Sequence, residues 1–286
     1  MKNPIIGILG GSGNIGSKCV EIISEIYPLY ATYKNNKKQD TENCTYVQMD
    51  IKDLGKVTEF CNQVDILINC AGASYKNGEK IAKIASECNI PYIDPSGESF
   101  LEDKIKEELD NNIFVLSSGY FPGLSGIMAS YACSCLKNVD SISGFNVSEE
   151  IPSKSAIEDF VLTNLSGFGK ALYYYKNGEL VYEDGIKFVN VNGDIYKLSI
   201  YITKEFLRVA EKFNVNTANW FNQIYDDKVI RKMQEIVLKS DKFEGSYSKD
   251  IDNIISFFKA NVSKNNFNKL IISAKNSMEN IEIEVE

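Results

Sequence analysis

Apolar positions along the chain follow two rhythms in turn. Ile5-Ile6-Gly7-Ile8-Leu9 is an apolar run of strand length that ends in glycines. From Asn14 to Tyr27 apolar residues recur at Ile15, Cys19, Ile22, Ile23 and Ile26, the spacing of one helix face. Leu29 to Tyr33 and Thr45 to Met49 read as a second and a third strand, and Leu54 to Cys61 as a short helix. Asp65 to Cys70 is a fourth strand, Gly78 to Cys88 a helix, and Ile90 to Ile93 a fifth strand. Phe100 to Leu109 reads as a helix, and Ile113 to Leu116 as a sixth strand. Strands alternating with helices imply repeated βαβ units and a parallel sheet, and continuously apolar strands suit burial on both faces.

The rhythm changes after Gly123. Leu124 to Leu136 has a helical pattern, and beyond it lie hairpin signals. Lys176-Asn177-Gly178 separates two β-rich runs, and Asn192-Gly193-Asp194 separates Ile186 to Val191 from Ile195 to Ile202. Lys204 to Phe213 and Asp226 to Lys239 read as helices. The predicted fold class is therefore α/β. A doubly wound parallel sheet over residues 1–122 is followed by an α+β domain with an antiparallel sheet over 123–250. Residues 251–286 are expected to be a helical segment that packs back on the first domain.

Composition narrows the chemistry. Of 286 residues, 31 are Lys or Arg and 39 are Asp or Glu, for a net charge of −8. An acidic surface argues against a general nucleic-acid binder. There is no His, so neither a His general base nor a His-ligated metal is possible. The seven Cys, at 19, 44, 61, 70, 88, 133 and 135, show neither a disulfide framework nor paired zinc-site spacing. They read as small thiols of a reducing cytoplasm, and no metal is expected. No stretch approaches the ~20 apolar residues of a membrane span.

The first strand runs into Gly10-Gly11-Ser12-Gly13-Asn14-Ile15-Gly16, and a helix follows. Its early glycines permit a tight turn, Gly13 lets a pyrophosphate approach the backbone, and Gly16 lets helix and strand pack closely. The helix N-terminus then offers free amides to phosphates. At the end of the second strand an NAD site usually places Asp or Glu. Here the chain reads Ala31-Thr32-Tyr33-Lys34-Asn35-Asn36-Lys37-Lys38, with no acid. Lys34 and Lys37 would attract a 2′-phosphate, so NADP(H) is favoured over NAD(H). Asp50-Ile51 stands where an adenine-binding pair often sits, and Cys70-Ala71-Gly72 forms a small turn that a nicotinamide can pass closely.

Three further segments occur in order: Asn69 to Gly72, Tyr92 to Glu98, and Gly119-Tyr120-Phe121-Pro122-Gly123. With the glycine turn they make the first ~125 residues resemble the saccharopine dehydrogenase-like reductase family. Tyr92, Asp94, Gly97 and Glu98 match its Tyr-x-Asp-x-x-Gly-Glu segment, and Gly119, Phe121, Pro122 and Gly123 match its Gly, Phe, Pro and Gly segment. The resemblance implies a Rossmann domain, a second α+β domain, and nicotinamide-dependent redox chemistry, often at a C–N bond. Gly119 joins the cofactor-binding set on this ground.

Without His, a proton donor would be Tyr, Lys, a carboxylic acid or water. Tyr120 follows the sixth strand and is the candidate catalytic residue, with Lys154 and Lys170 in reserve. Asp94 and Glu98 suit structural roles such as helix capping. Tyr30 to Lys34 and Tyr33 to Lys37 fit the Tyr-x-x-x-Lys dyad of short-chain dehydrogenases in letters only, because both lie at the second strand. The expected function is an NADPH-dependent reductase of a C=N or activated C=C or C=O bond in a small molecule. The alternative is a non-catalytic NADP-binding regulatory protein. A homodimer through the second domain is the expected assembly, with no nucleic-acid or membrane partner.

Overall fold

In a computed structural model the chain is described at residues 3–97, 99–107, 112–154, 156–158, 169–225, 229, 231–232, 235, 248–261 and 267–286. It divides into two compact units, Met1–Tyr120 and Phe121–Glu286.

The first unit holds β1 (Ile6–Leu9), α1 (Asn14–Ile23), β2 (Leu29–Tyr33), β3 (Cys44–Gln48), α2 (Leu54–Cys61) and β4 (Ile66–Asn69). It continues with α3 (Ser74–Glu87), β5 (Tyr92–Asp94), α4 (Ser99–Lys104) and β6 (Phe114–Leu116). The six strands form one sheet in the order β3-β2-β1-β4-β5-β6, every pair parallel. The central strand has Ile6, Ile8 and Leu9 buried because helices cover both faces. Val20 of α1 packs with Ile6, Ile8, Ala31 and Ile68 on one side. On the other, Val57 and Phe60 of α2 pack with Ile81 and Ala85 of α3 against Leu9, Leu67 and Tyr92. At roughly 1.5–3 kcal/mol per fully buried aliphatic side chain, these two layers fix which way each helix faces. The helix expected at Gly78 starts already at Ser74, and the one expected over Phe100–Leu109 runs from Ser99 to Lys104 among the described residues, with 108–109 outside them.

The second unit holds α5 (Leu124–Ser134), β7 (Ser141–Ser148), β8 (Gly169–Ala171), β9 (Tyr173–Lys176), β10 (Glu179–Tyr182), β11 (Ile186–Val191) and β12 (Asp194–Thr203). It continues with α6 (Lys204–Phe213), β13 (Thr217–Gln223), α7 (Ser248–Asn261), β14 (Asn268–Lys275) and β15 (Asn280–Val285). Its nine-stranded sheet runs β10-β9-β13-β7-β14-β15, with β12 on β13 and carrying β11 and β8. Both Asn-Gly hairpins form. Asn177 and Gly178 have φ of 49° and 90°, and Asn192 and Gly193 have 55° and 95°, the positive pair that a tight two-residue turn requires.

Two expectations are corrected here. The sheet is mixed rather than antiparallel, because β7 and β13 pair in parallel. The segment 251–286 is helical only to Asn261. It then forms the β14–β15 hairpin, hydrogen-bonded to β7, because Ile281, Ile283 and Val285 alternate with glutamates at strand period. The helix expected over 226–239 lies largely outside the described residues.

Gly144 of β7 has a steric reason. A Cβ there would come within 2.6–2.8 Å of Ile272, Phe206 and Trp220. Trp220 is fully buried, stacked on Phe121 at 4.3 Å and edge-on to Phe206 at 5.0 Å. It is therefore core, while Phe221 and Tyr174 line a cavity of about 390 Å³ on the sheet.

Candidate functional site

The turn after β1 is built from crowding that only glycine relieves. Gly10 has φ +72°, and a Cβ there would sit 2.7 Å from the Cys70 carbonyl oxygen. A Cβ on Gly11 would sit 2.6 Å from the Ala31 methyl, and one on Gly16 would collide with the Gly10 carbonyl. Gly13 differs: a Cβ there would approach only Gly10 O, at 3.2 Å, and the residue is exposed. A Cβ there would crowd that oxygen mildly and meet no other atom within 4 Å. The Gly13 amide donates to Gly10 O at 2.9 Å, closing the turn. Gly13 then caps α1 in extended conformation, with no side-chain cap and no acidic residue in the first turn. The exposed residues Asn14 and Ile15 thus begin a helix whose partial positive end has no carboxylate of that turn to neutralise it. Ser12 completes the turn, half-buried. The turn is anchored from β2: buried Thr32 accepts from the Gly10 amide at 2.9 Å.

At the end of β4, Cys70 and Ala71 lead to Gly72 with φ +66°. Beneath them lies a buried polar network. The Asp94 carboxylate accepts from the hydroxyls of Tyr92 and Ser74 at 2.6 and 2.7 Å, and from the Asn69 amide at 3.2 Å. Its other oxygen accepts from the backbone amides of Ser96 and Gly97 at 3.0 and 2.8 Å. Burial, then the Asp94 charge, pushes the Tyr92 phenol well above its usual range. Five donors therefore converge on one fully buried carboxylate. Asp94 ties the ends of β4 and β5 to the start of α3, a structural role. Glu98 lies outside the described residues.

The polar loop after β2 pairs its own charges. Lys34 meets Asp50 at 2.8 Å and Lys37 meets Asp40 at 3.0 Å, all four side chains largely exposed. Lys34 holds the Asp50 carboxyl below its usual range. Ile51 lies near Gly72, its Cδ1 at 4.0 Å from the position of a Cβ there. Lys34, Asp50, Ile51 and Gly72 thus border the ends of β2, β3 and β4. Gly119 and Tyr120 are half-buried after β6. That exit is held by Ser117, whose hydroxyl donates to Gly97 O at 3.0 Å.

In the second unit Glu205 of α6 reaches the start of α5. It accepts from the Gly123 amide at 2.7 Å and from the Ser125 hydroxyl at 2.5 Å. Burial raises its carboxyl above the ordinary value, against the opposing pull of these donors. The reserve lysines are engaged elsewhere: Lys154 pairs with Asp252 at 3.0 Å, and Lys170 lies over the Tyr173 ring at 3.6 Å. Among the described residues no cluster of His, Cys, Asp and Glu could hold a metal, and no helix is long and apolar enough to cross a membrane.

A wholly parallel sheet in the order 3-2-1-4-5-6, with a glycine turn where the winding reverses between β1 and β4, defines a Rossmann fold. Over its length the chain has a saccharopine dehydrogenase-like fold. It superposes on the L-Glu-forming saccharopine dehydrogenase of Saccharomyces cerevisiae with a TM-score of 0.62, over 99% of this chain and 86% of that one, at 10% identity. A dehydrogenase from Clostridium difficile aligns over 100% of this chain and 84% of its own, with a TM-score of 0.44 and 9% identity. No family model matches the sequence, and no curated protein matches it.

Proposed function

We propose that the protein is an NADPH-dependent oxidoreductase that reduces a C=N bond, or an activated C=C or C=O bond, of a small molecule. The observation that carries this reading is Gly13. In a turn whose other glycines are demanded by severe internal crowding, its exposure, its single Cβ contact with Gly10 O at 3.2 Å and its uncapped helix start suit an approaching pyrophosphate. The amides of Asn14 and Ile15 would hold the phosphates, with Gly10, Gly11, Ser12, Gly13 and Gly16 shaping the turn. Asp50 and Ile51 would border the adenine, and Cys70, Ala71, Gly72 and Gly119 the nicotinamide half. Lys34 and Lys37 would meet a 2′-phosphate. Their present partners are exposed, and such pairs are worth at most about 1 kcal/mol, so a phosphate dianion can displace them.

When bound, the dihydronicotinamide supplies a hydride. Tyr120 would donate a proton to the substrate atom that gains negative charge, and an iminium substrate would relax that need. The test is fluorescence titration of the purified chain with NADPH and NADH, followed by turnover on a panel of imines and carbonyl-plus-amine mixtures. Saturable NADPH binding with turnover is expected, and absence of binding by either nucleotide refutes the reading. Because Asp94 is fully committed to five donors, the buried carboxylate of this edge offers no acid–base function. That observation favours, as the second reading, a regulatory NADP-binding protein, which tight binding without turnover would support.

A further inference from the structure

We infer that Cys19 and Cys70 are a thiol–disulfide pair, oxidised by a peroxide, that couples redox state to nucleotide occupancy; the coupling rests on the dinucleotide reading above, the disulfide does not. Cys19 lies on α1 and Cys70 ends β4, 51 residues apart, yet their sulfurs are 3.9 Å apart. Both are half-buried, whereas Cys44, Cys61 and Cys133 are buried. The Cys70 thiol donates to Cys19, and this hydrogen bond lowers the Cys19 pKa to about 7. Cys70 is pushed up by the same bond, by burial and by the Asp94 charge, and so keeps its proton. One sulfur is thereby prepared as the attacking thiolate and its neighbour as the resolving thiol. In a contrasting pair, Cys61 and Cys88, a shared hydrogen bond likewise favours one thiolate, Cys88, but burial outweighs it and both thiols are pushed up.

The chemistry balances. The Cys19 thiolate attacks hydrogen peroxide, forming an S–O bond as the O–O bond breaks, and hydroxide leaves to be protonated. Cys70 sulfur then attacks Cys19 sulfur, the S–S bond forms, the S–O bond breaks, and water departs with the Cys70 proton. Two thiols lose two electrons and the peroxide becomes two waters. Closing the sulfurs from 3.9 Å to the ~2.05 Å of a disulfide would tie α1 covalently to the end of β4. Both border the glycine turn: the Cys70 amide donates to Leu9 O at 2.9 Å, and its carbonyl abuts Gly10.

The test treats the reduced full-length chain with peroxide, alkylates remaining thiols, and maps peptides without reduction. A Cys19–Cys70 linked peptide should dominate. Dimedone should label Cys19 in Cys70→Ser, and Cys19→Ser should give no link. The wild-type map needs no variant: no link, or a dominant link elsewhere, overturns the pair, as does dimedone on Cys70 in Cys19→Ser with none on Cys19 in Cys70→Ser. Oxidised protein should bind NADPH at least tenfold more weakly, reversibly with a thiol reductant, and equal affinity overturns the coupling. Reduced protein that binds no nucleotide overturns the coupling and the dinucleotide reading together, while the peptide map alone still decides the disulfide.

Discussion

Single residues here divide by whether the protein or a ligand demands them. Asp94 belongs to the protein. Asp94→Ala would remove the acceptor of the buried Tyr92 and Ser74 hydroxyls and of two backbone amides, while the Asn69 amide keeps the Tyr92 oxygen. At about 1–3 kcal/mol per stranded group, the loss should reach at least about 3 kcal/mol, read as the shift in a urea unfolding midpoint. Lys34 is proposed to belong to the ligand. Lys34→Glu places a second carboxylate beside Asp50 and should weaken NADPH about tenfold or more while leaving NADH nearly unchanged. Equal losses for both would show that this lysine does not read the 2′-phosphate. Tyr120→Phe should lower kcat about 100-fold with NADPH affinity retained, if its hydroxyl gives the proton. An unaltered kcat removes that role. Thr32, which holds the glycine turn, carried no signal in the sequence. A Thr inside a strand is ordinary, and only the fold aims its hydroxyl at the Gly10 amide.

Among the elements, α5 depends on a cap supplied from α6. Glu205 is 80 residues from Ser125 in sequence, so no capping pattern could announce it. Burial holds its folded pKa above the ordinary 4.5. A group with a raised folded pKa contributes stability that is fully present below its unfolded value and lost as pH rises through the folded one. Wild type should therefore lose thermal stability as pH rises above about 4.5 more steeply than Glu205→Gln, whose side chain does not titrate. Parallel curves in scanning calorimetry would refute this. The strands β7, β13 and β14 were unassigned from sequence for a related reason. Their half-open faces carry Ser, Asn and Thr, and Gly144 interrupts the apolar period so that Trp220 and Phe206 can fill its space.

At the scale of the whole molecule, nucleotide binding is linked to folding. A ligand that binds only the native chain adds about 2.7 kcal/mol at 100 times its Kd. Saturating NADPH should therefore raise the unfolding temperature of the Rossmann unit by several degrees, measured by scanning calorimetry, and no shift with either nucleotide would count against the proposed function. The sequence by itself determined the alternation of strands and helices in the first unit, the glycine turn and both Asn-Gly hairpins. Those features are set by local sterics and periodicity, which act between residues close in the chain. Only the tertiary structure decided that β7 and β13 run parallel, that the C-terminal residues are strands on β7, and that Lys34 already pairs with Asp50. It alone brought Cys19 within 3.9 Å of Cys70 and five donors onto Asp94. Such pairings join groups from separate elements, and their geometry exists only once packing has brought those elements together.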